Sequence, residues 1–208
     1  MTNLKTFSAG AWLLCAVLAA GSTSAFAEGD PAAGKQLAYT CMGCHGIDGY
    51  RNAYPSYRVP KLGGQRAAYI EDALKAYRDG DRPHPTMQAQ GGSLSDQDIA
   101  DIAAWFQSDE PVEVMVTGQE SDYPEVGVTC LACHGEAGGA TVPTPPVLSG
   151  QWESYIVHAL GQYKEGNRGG DGGNVMRAFA MNLSDEDIAT LAKFYSTRDG
   201  VYTPEKSQ

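Results

Sequence analysis

The feature that most constrains the fold of this 208-residue chain is an internal duplication. The stretch VPKLGGQRAAYIEDALKAYRDGDR (59–82) aligns with PPVLSGQWESYIVHALGQYKEGNR (145–168) at an offset of 86 residues. The stretch LSDQDIADIAAWF (94–106) aligns with LSDEDIATLAKFY (183–195) at an offset of 89 residues. Two copies are too few, and each copy of about 90 residues is too long, for a solenoid repeat. The duplication therefore predicts two tandem domains of the same fold.

The N-terminal segment has the pattern of a secretory signal peptide. Lys5 is the only charged residue before position 28, an apolar run follows it, and small residues end the segment at Ala25-Phe26-Ala27. The apolar run is shorter than the ~20 residues of a membrane span, which disfavours an uncleaved anchor. We therefore predict an exported protein with a cleaved signal peptide (1–27), a first domain (28–111), a linker (112–121) and a second domain (122–208).

Both copies carry the periodicity of amphipathic helices. Ile99, Ile102 and Phe106 recur at helical spacing after a Ser95/Asp98 capping box, and the second copy repeats this pattern after Ser184. Asp30 and Pro31 have the residue types that open a helix, whereas the segment before the second copy's first cysteine allows only a short helix. No convincing pair of strands is present. The sequence predicts an all-α fold.

The charge of the chain restricts its partners. It has 15 lysine and arginine residues against 25 aspartate and glutamate residues, a formal net charge of −10. Nucleic-acid binding depends on clustered basic side chains, so this class of partner is excluded. An acidic surface favours proteins with a basic docking face. At most a peripheral association with membranes is expected.

Each copy contains the motif C-x-x-C-H. Cys41, Cys44 and His45 form the first motif, and the second is its equivalent 89 residues later: Cys130, Cys133 and His134. A zinc site, a disulfide and a redox dithiol are the alternatives, but a dithiol of the thioredoxin type accompanies a βαβ pattern that is missing here. Zinc or a disulfide would not require a histidine in the same register twice. The motifs predict two covalent c-type haems, each attached through two cysteines and ligated by the adjacent histidine.

The second axial ligand of each haem is predicted from the repeat. Met87 lies seven residues before Leu94, and Met176 lies seven residues before Leu183. Because both methionines occupy the same repeat position, in predicted Gly- and Pro-rich loops before the last helix, we predict that they ligate the iron. The other candidates lack an equivalent in the other copy or lie in the linker: His84, His158, Met181 and Met115.

The combination of these motifs resembles the dihaem cytochrome c4 family. The resemblance rests on C-x-x-C-H, the P-x-L-x-G-Q stretches at 60–65 and 146–151, the methionines, and L-S-D-x-D-I before an aromatic-ended helix. It implies a protein of the bacterial periplasm with two class I cytochrome c domains, related by a pseudo-twofold axis and with neighbouring haem propionates. It also implies that Pro60 and Pro146 lie on the histidine side of each haem.

Three functions remain open at this point. The first is an electron carrier between a respiratory donor, such as a quinol-oxidising complex, and a terminal oxidase or similar acceptor. The second is the cytochrome subunit of a dehydrogenase, for instance a flavocytochrome c sulfide dehydrogenase. The third, a dihaem peroxidase, needs a vacant iron position, which two methionine ligands would not leave. The carrier is the expected function, and no catalytic residues are predicted.

Overall fold

A computed structural model describes residues 28–107, 123–135, 138–139, 145–170 and 172–204. The predicted signal peptide (1–27) and linker (112–121) lie outside these residues. We call 28–107 the first module and 123–204 the second module. Over the described ranges, no helix is both long enough and apolar enough to span a bilayer.

The described residues are helical, as the sequence predicts. The first module contains a 3₁₀ turn at Cys41–Gly43 and four helices: α1 (Pro31–Leu37), α2 (Ala67–Asp79), α3 (Pro85–Gly91) and α4 (Asp96–Gln107). The second module contains a 3₁₀ segment at Glu125–Cys130 and four helices: α5 (Leu131–His134), α6 (Glu153–Glu165), α7 (Gly173–Ala180) and α8 (Asp185–Ser196). Among the described residues, β-pairing is limited to two isolated bridges, Arg51 with Arg58 and Gly63 with Tyr202.

The predicted helix starts are confirmed by hydrogen bonds. The carboxylate of Asp30 accepts a hydrogen bond from the backbone N–H of Ala32, with Pro31 at the first helical position of α1. At the start of α8, the Ser184 hydroxyl oxygen accepts from the backbone N–H of Asp187, and the Asp187 carboxylate accepts from the backbone N–H of Ser184. These two bonds form a capping box. Such bonds satisfy donors that have no partner inside the helix. Local sequence therefore fixes where these helices begin.

Helix α1 crosses α4 at a glycine. A Cβ atom added to Gly34 would lie 1.9 Å from the carbonyl oxygen of Asp101, so the two backbones touch at this point. The N–H of Asp30 donates to the Asp101 carboxylate at 2.8 Å and holds the start of α1 against α4. The predicted core positions of α4 are buried around this crossing: Ile99, Ile102, Ala103 and Phe106.

The second module replaces α1 with the 3₁₀ segment, in agreement with the weaker helix signal there. Tyr123 packs against the second core and its hydroxyl group lies 2.7 Å from that of Tyr195 on α8. The same hydroxyl donates to the carbonyl of Gly127 at 2.9 Å. In the second module, the pair of Tyr123 and Tyr195 therefore holds the 3₁₀ segment in place. In the first module, the crossing of α1 and α4 has this role.

The two modules are joined by contacts that are repeated with the roles of the modules exchanged. The side-chain amide of Gln65 bonds the backbone of Val147, and that of Gln151 bonds the backbone of Lys61. Each residue of the first pair lies 86 positions from its equivalent in the second pair. In a twofold interface, every contact between a residue i of one half and a residue j of the other is repeated between their equivalents with the halves exchanged. The predicted pseudo-twofold relation is confirmed.

Candidate haem sites

Both C-x-x-C-H motifs form a single tight turn. In the first, the N–H groups of Cys44 and His45 donate to the carbonyl of Cys41 at 3.1 and 2.9 Å. In the second, the turn is helix α5, which ends at His134. One turn brings two thiols and an imidazole to the same side of the backbone. This is the arrangement that attachment of one haem requires.

The two histidines, His134 buried and His45 half-buried, are oriented by the same contact. Nδ1 of His45 lies 2.8 Å from the carbonyl oxygen of Pro60, and Nδ1 of His134 lies 3.1 Å from that of Pro146. A carbonyl oxygen only accepts, so Nδ1 carries the proton and donates. Nε2 of a neutral imidazole then keeps a free lone pair for a metal. The prolines that the resemblance assigns to the histidine side do contact these rings.

Burial keeps both imidazoles neutral. It lowers the pKa of His45, the hydrogen bond to Pro60 opposes this, and the nearby charges of His84 and Arg82 lower the pKa further. Burial also lowers the pKa of His134, against the bond to Pro146. Metal ligation needs the neutral form, so both rings have the protonation state of a ligand at neutral pH.

None of the four cysteines in the two motifs is paired in a disulfide. Cys41, Cys44 and Cys130 are half-buried, and Cys133 is exposed. Within the described ranges, no three histidine, cysteine, aspartate or glutamate side chains converge as a metal-binding group. The donors therefore fit neither a disulfide nor a closed zinc site, and they do fit a haem that takes two thiols and one imidazole.

The two candidate methionines lie in equivalent short helices rather than in the loops that their Gly- and Pro-rich surroundings indicate. Met87 is in α3, where Pro85 occupies the first position and His84 caps the helix by accepting from the Met87 N–H at 3.3 Å. Met176 is in α7. Met87 and Cys41 border the same buried core, whereas Met176 is half-buried and outside the second core cluster.

The residues that the sequence set aside have other roles. The ring of His158 stacks on that of Tyr57 with centroids 4.0 Å apart. The side chain of Met181 is 58% exposed.

Sequence reasoning missed two buried arginines, Arg82 and Arg168. They end the DGDR and EGNR stretches at the 86-residue offset, so the repeat already contained the signal. Between the modules, both arginines donate a hydrogen bond to the hydroxyl group of Tyr155. An arginine at the same position of both copies, in a chain with an excess of acidic residues, could have identified them.

The paired turns, the oriented histidines and the two cysteines in each turn define a c-type cytochrome with two haem sites. The cytochrome c family model matches residues 31–109 and 126–198, and this match covers both modules. The chain belongs to the dihaem cytochrome c4 family. It carries two covalently bound haem c groups and is an electron-transfer protein.

Individual comparisons agree with this family. The chain is 34% identical to cytochrome c4 of Azotobacter vinelandii, over 88% of this chain and 96% of that protein. The crystal structure of reduced recombinant cytochrome c4 from Pseudomonas stutzeri superimposes with a TM-score of 0.64 at 30% identity, covering 84% of this chain and all of the other. The chain is also 28% identical to a thiosulfate dehydrogenase electron acceptor of Stutzerimonas stutzeri, over 76% of this chain and 79% of that protein.

Proposed function

We propose that this protein is a periplasmic electron carrier that passes single electrons between a respiratory donor and a terminal oxidase or similar acceptor. The observation that carries the proposal is the orientation of His45 and His134, each held by a proline carbonyl with Nε2 free. Each haem, when bound, supplies a one-electron Fe(III)/Fe(II) couple. The chain contributes the ligands, the exclusion of water and the docking surface.

The proposed ligands leave no position for a substrate. Cys41 and Cys44 attach one haem and Cys130 and Cys133 the other. The axial pairs are His45 with Met87 and His134 with Met176. A histidine–methionine pair fills both axial positions and raises the reduction potential. This ligand set suits electron transfer and disfavours a peroxidase.

The acidic surface suits a basic docking face on the partner. A carrier must associate and dissociate rapidly, so its encounters are small in area and steered by charge. We expect the second-order rate of electron transfer to the acceptor to fall steeply with ionic strength, because the Debye length falls from ~10 Å at 0.1 M to ~3 Å at 1 M salt. Stopped-flow oxidation of the reduced protein at increasing salt measures this rate.

A second function, the electron-transfer subunit of a dehydrogenase, is favoured by one observation. A relative at 28% identity is a thiosulfate dehydrogenase electron acceptor. A flavocytochrome c sulfide dehydrogenase is another dehydrogenase of this kind. A stable subunit is expected to remain bound to its enzyme through high-salt washing, with turnover nearly independent of salt.

Purification from native membranes and periplasm separates the two functions. The carrier is expected to elute alone, and its electron transfer is expected to depend on salt. Co-elution with a thiosulfate- or sulfide-oxidising subunit after washing at 1 M salt would show that the protein is a dehydrogenase subunit and not a free carrier.

A further inference from the structure

The first module carries a short hairpin whose sequence is not repeated in the second module. The first copy reads IDGYRNAYPSYR at 47–58, whereas the equivalent stretch at 136–144 reads EAGGATVPT, with no basic and no aromatic residue. In the structure, Arg51 pairs with Arg58 in an antiparallel bridge, and backbone hydrogen bonds on either side of this pair close a hairpin at 50–59. The basic and aromatic side chains of this hairpin therefore belong to the first module alone.

The base of the hairpin packs on helix α6 of the second module. The N–H of Arg58 donates to the hydroxyl of Ser154 at 3.1 Å. The ring of Tyr57 is buried and stacks on that of His158 with centroids 4.0 Å apart. The guanidinium group of Arg58 lies 4.4 Å from the centre of the Trp152 ring. These contacts fix the position of the hairpin relative to α6.

A surface groove of about 530 Å³ lies between the hairpin and α6. The guanidinium groups of Arg51 and Arg58 line it, and so does the carboxylate of Glu153. Burial lowers the pKa of His158, which also lines the groove, so its ring adds no charge at neutral pH. The groove therefore has two positive charges against one negative charge, and this excess favours an anionic ligand.

Neither arginine of the groove forms an ion pair with a described residue. The ion pairs within the described ranges involve three other cations: Lys75, Arg78 and Lys164. Arg51 is exposed, and its guanidinium group donates to the hydroxyl of Ser56 at 3.4 Å. Arginine presents five N–H donors in one plane and binds a carboxylate through two parallel hydrogen bonds. An external carboxylate can therefore bind donors that no described carboxylate occupies.

The sign of this site is opposite to the net charge of the chain, which is −10. A third cation lies beside Arg58, because Nζ of Lys61 is 4.1 Å from the centre of the same Trp152 ring. The charge of Asp48 acts on Lys61 and offsets part of the excess. A partner with a basic face and a partner with an acidic face would therefore bind at different places on this molecule.

We propose that the groove between the hairpin (50–59) and α6 docks an acidic segment of a partner protein, and that one carboxylate of this segment binds Arg51 and Arg58. A groove of this size is larger than a single inorganic anion and accommodates a side chain with part of its backbone. The ring of Tyr54, 93% exposed at the tip of the hairpin, extends the contact surface. The inference goes beyond the proposed function and holds for a free carrier and for a dehydrogenase subunit alike.

A polyglutamate peptide tests the site directly. It is titrated into the fully reduced protein with both haems attached, at ~0.1 M salt, where a Debye length of ~10 Å weakens the repulsion from distant acidic residues. Backbone amide resonances are expected to shift at 50–59 and 153–158. Because the chain as a whole is acidic, its net charge alone predicts no binding. Shifts that are absent, or that are scattered over the surface, would overturn the proposal.

Four variants with matched charge changes measure the contribution of each group. Arg51→Gln is expected to raise the dissociation constant of the peptide about two- to fivefold, the range of an exposed ion pair, and Arg58→Gln at least as much. Glu153→Gln is expected to lower it, because the carboxylate in the groove repels the peptide. Lys35→Gln removes one positive charge from an exposed position of α1 and is expected to have no effect. If Arg51→Gln matches Lys35→Gln, the inference is wrong, and this comparison needs no change at the packed Arg58.

Sulfate separates the docking of a segment from the binding of a small anion. It offers negative charge without a chain, so it is expected to bind more weakly than the peptide and to leave the amide of Tyr54 unshifted. If sulfate shifts the same resonances as strongly as the peptide does at equal concentration of charge, the groove is a small-anion site and the docking proposal fails. Neither result depends on how electron transfer to the acceptor responds to salt, so failure of this proposal and failure of the proposed function are distinguishable.

Discussion

The side-chain amide of Gln65 forms two hydrogen bonds with the backbone of Val147, 82 positions away in the chain. Nε2 donates to the carbonyl oxygen at 3.0 Å, and Oε1 accepts from the N–H at 2.8 Å. Gln151 makes the same two bonds with the backbone of Lys61, each at 3.0 Å. The two glutamines therefore act as paired clasps that join the modules, and each occupies the last position of a P-x-L-x-G-Q stretch.

Replacing Gln65 or Gln151 by leucine is expected to destabilise the protein by about 3 kcal/mol. The volume of the side chain is nearly kept, but both backbone groups of the partner residue lose their hydrogen bond at the module interface, and each unsatisfied group costs about 1–3 kcal/mol. Urea unfolding followed by circular dichroism measures the change. Gln36→Leu, at an exposed position of α1, is the control. A loss below ~0.5 kcal/mol in the clasp variants would refute this role.

Two glycine-to-alanine substitutions are expected to have opposite effects on stability. Gly34→Ala places a methyl group against the carbonyl of Asp101 and forces α1 away from α4, which is expected to cost at least 1–3 kcal/mol. Gly161 lies inside α6 with no atom within 4 Å of an added Cβ, so Gly161→Ala is expected to stabilise by about 0.5–1 kcal/mol. Thermal unfolding of the two variants measures whether the melting temperature falls or rises in each. Equal shifts of the melting temperature would show that the crossing of α1 and α4 accommodates the methyl group.

Replacing Met87 or Met176 by alanine is expected to remove one ligand from one haem only. The methionine-to-iron charge-transfer absorbance falls by about half, the potential of that haem drops, and its ferrous form binds carbon monoxide. Met181→Ala and His84→Ala are expected to keep all three properties of the unaltered protein. If His84→Ala removes the low-spin spectrum of the first haem and Met87→Ala leaves it intact, the ligand assignment from the repeat is wrong.

The capping box of α8 is expected to make stability pH-dependent. The side-chain and backbone hydrogen bonds from Ser184 hold the pKa of Asp187 below its usual value. The carboxylate therefore stabilises the folded state at neutral pH, and this contribution is lost as the pH falls below about 4. Ser184→Ala is expected to destabilise at pH 7 and to differ less from the unaltered protein at pH 3.

Ser196→Ala is the matched control for the capping box. Its hydroxyl donates to the carbonyl of Lys193 near the end of the same helix, so no titrating group takes part. Its effect on unfolding is expected to be the same at pH 7 and pH 3. If Ser184→Ala is equally insensitive to pH, Asp187 contributes nothing to the cap.

Local patterns predicted the helices and the haem motifs correctly. The buried face of α4, the start of α1 and the two C-x-x-C-H turns depend on residues within about four positions of each other, where sequence and structure are directly linked. The same reasoning was less accurate for Met87 and Met176. Their glycines and prolines indicated loops, whereas Pro85 begins α3 with His84 as its cap, because proline is accommodated at the first position of a helix.

What the sequence by itself determined is the duplication, the helical fold, the two covalent haems and the family. What only the tertiary structure decided is how the copies meet: the clasp of Gln65 on Val147 and the burial of Arg82 beside Tyr155. The clasp and the arginine contact join residues 82 and 73 positions apart. Their partners are selected by the docking of two folded surfaces, and no spacing within one helix or turn specifies that docking.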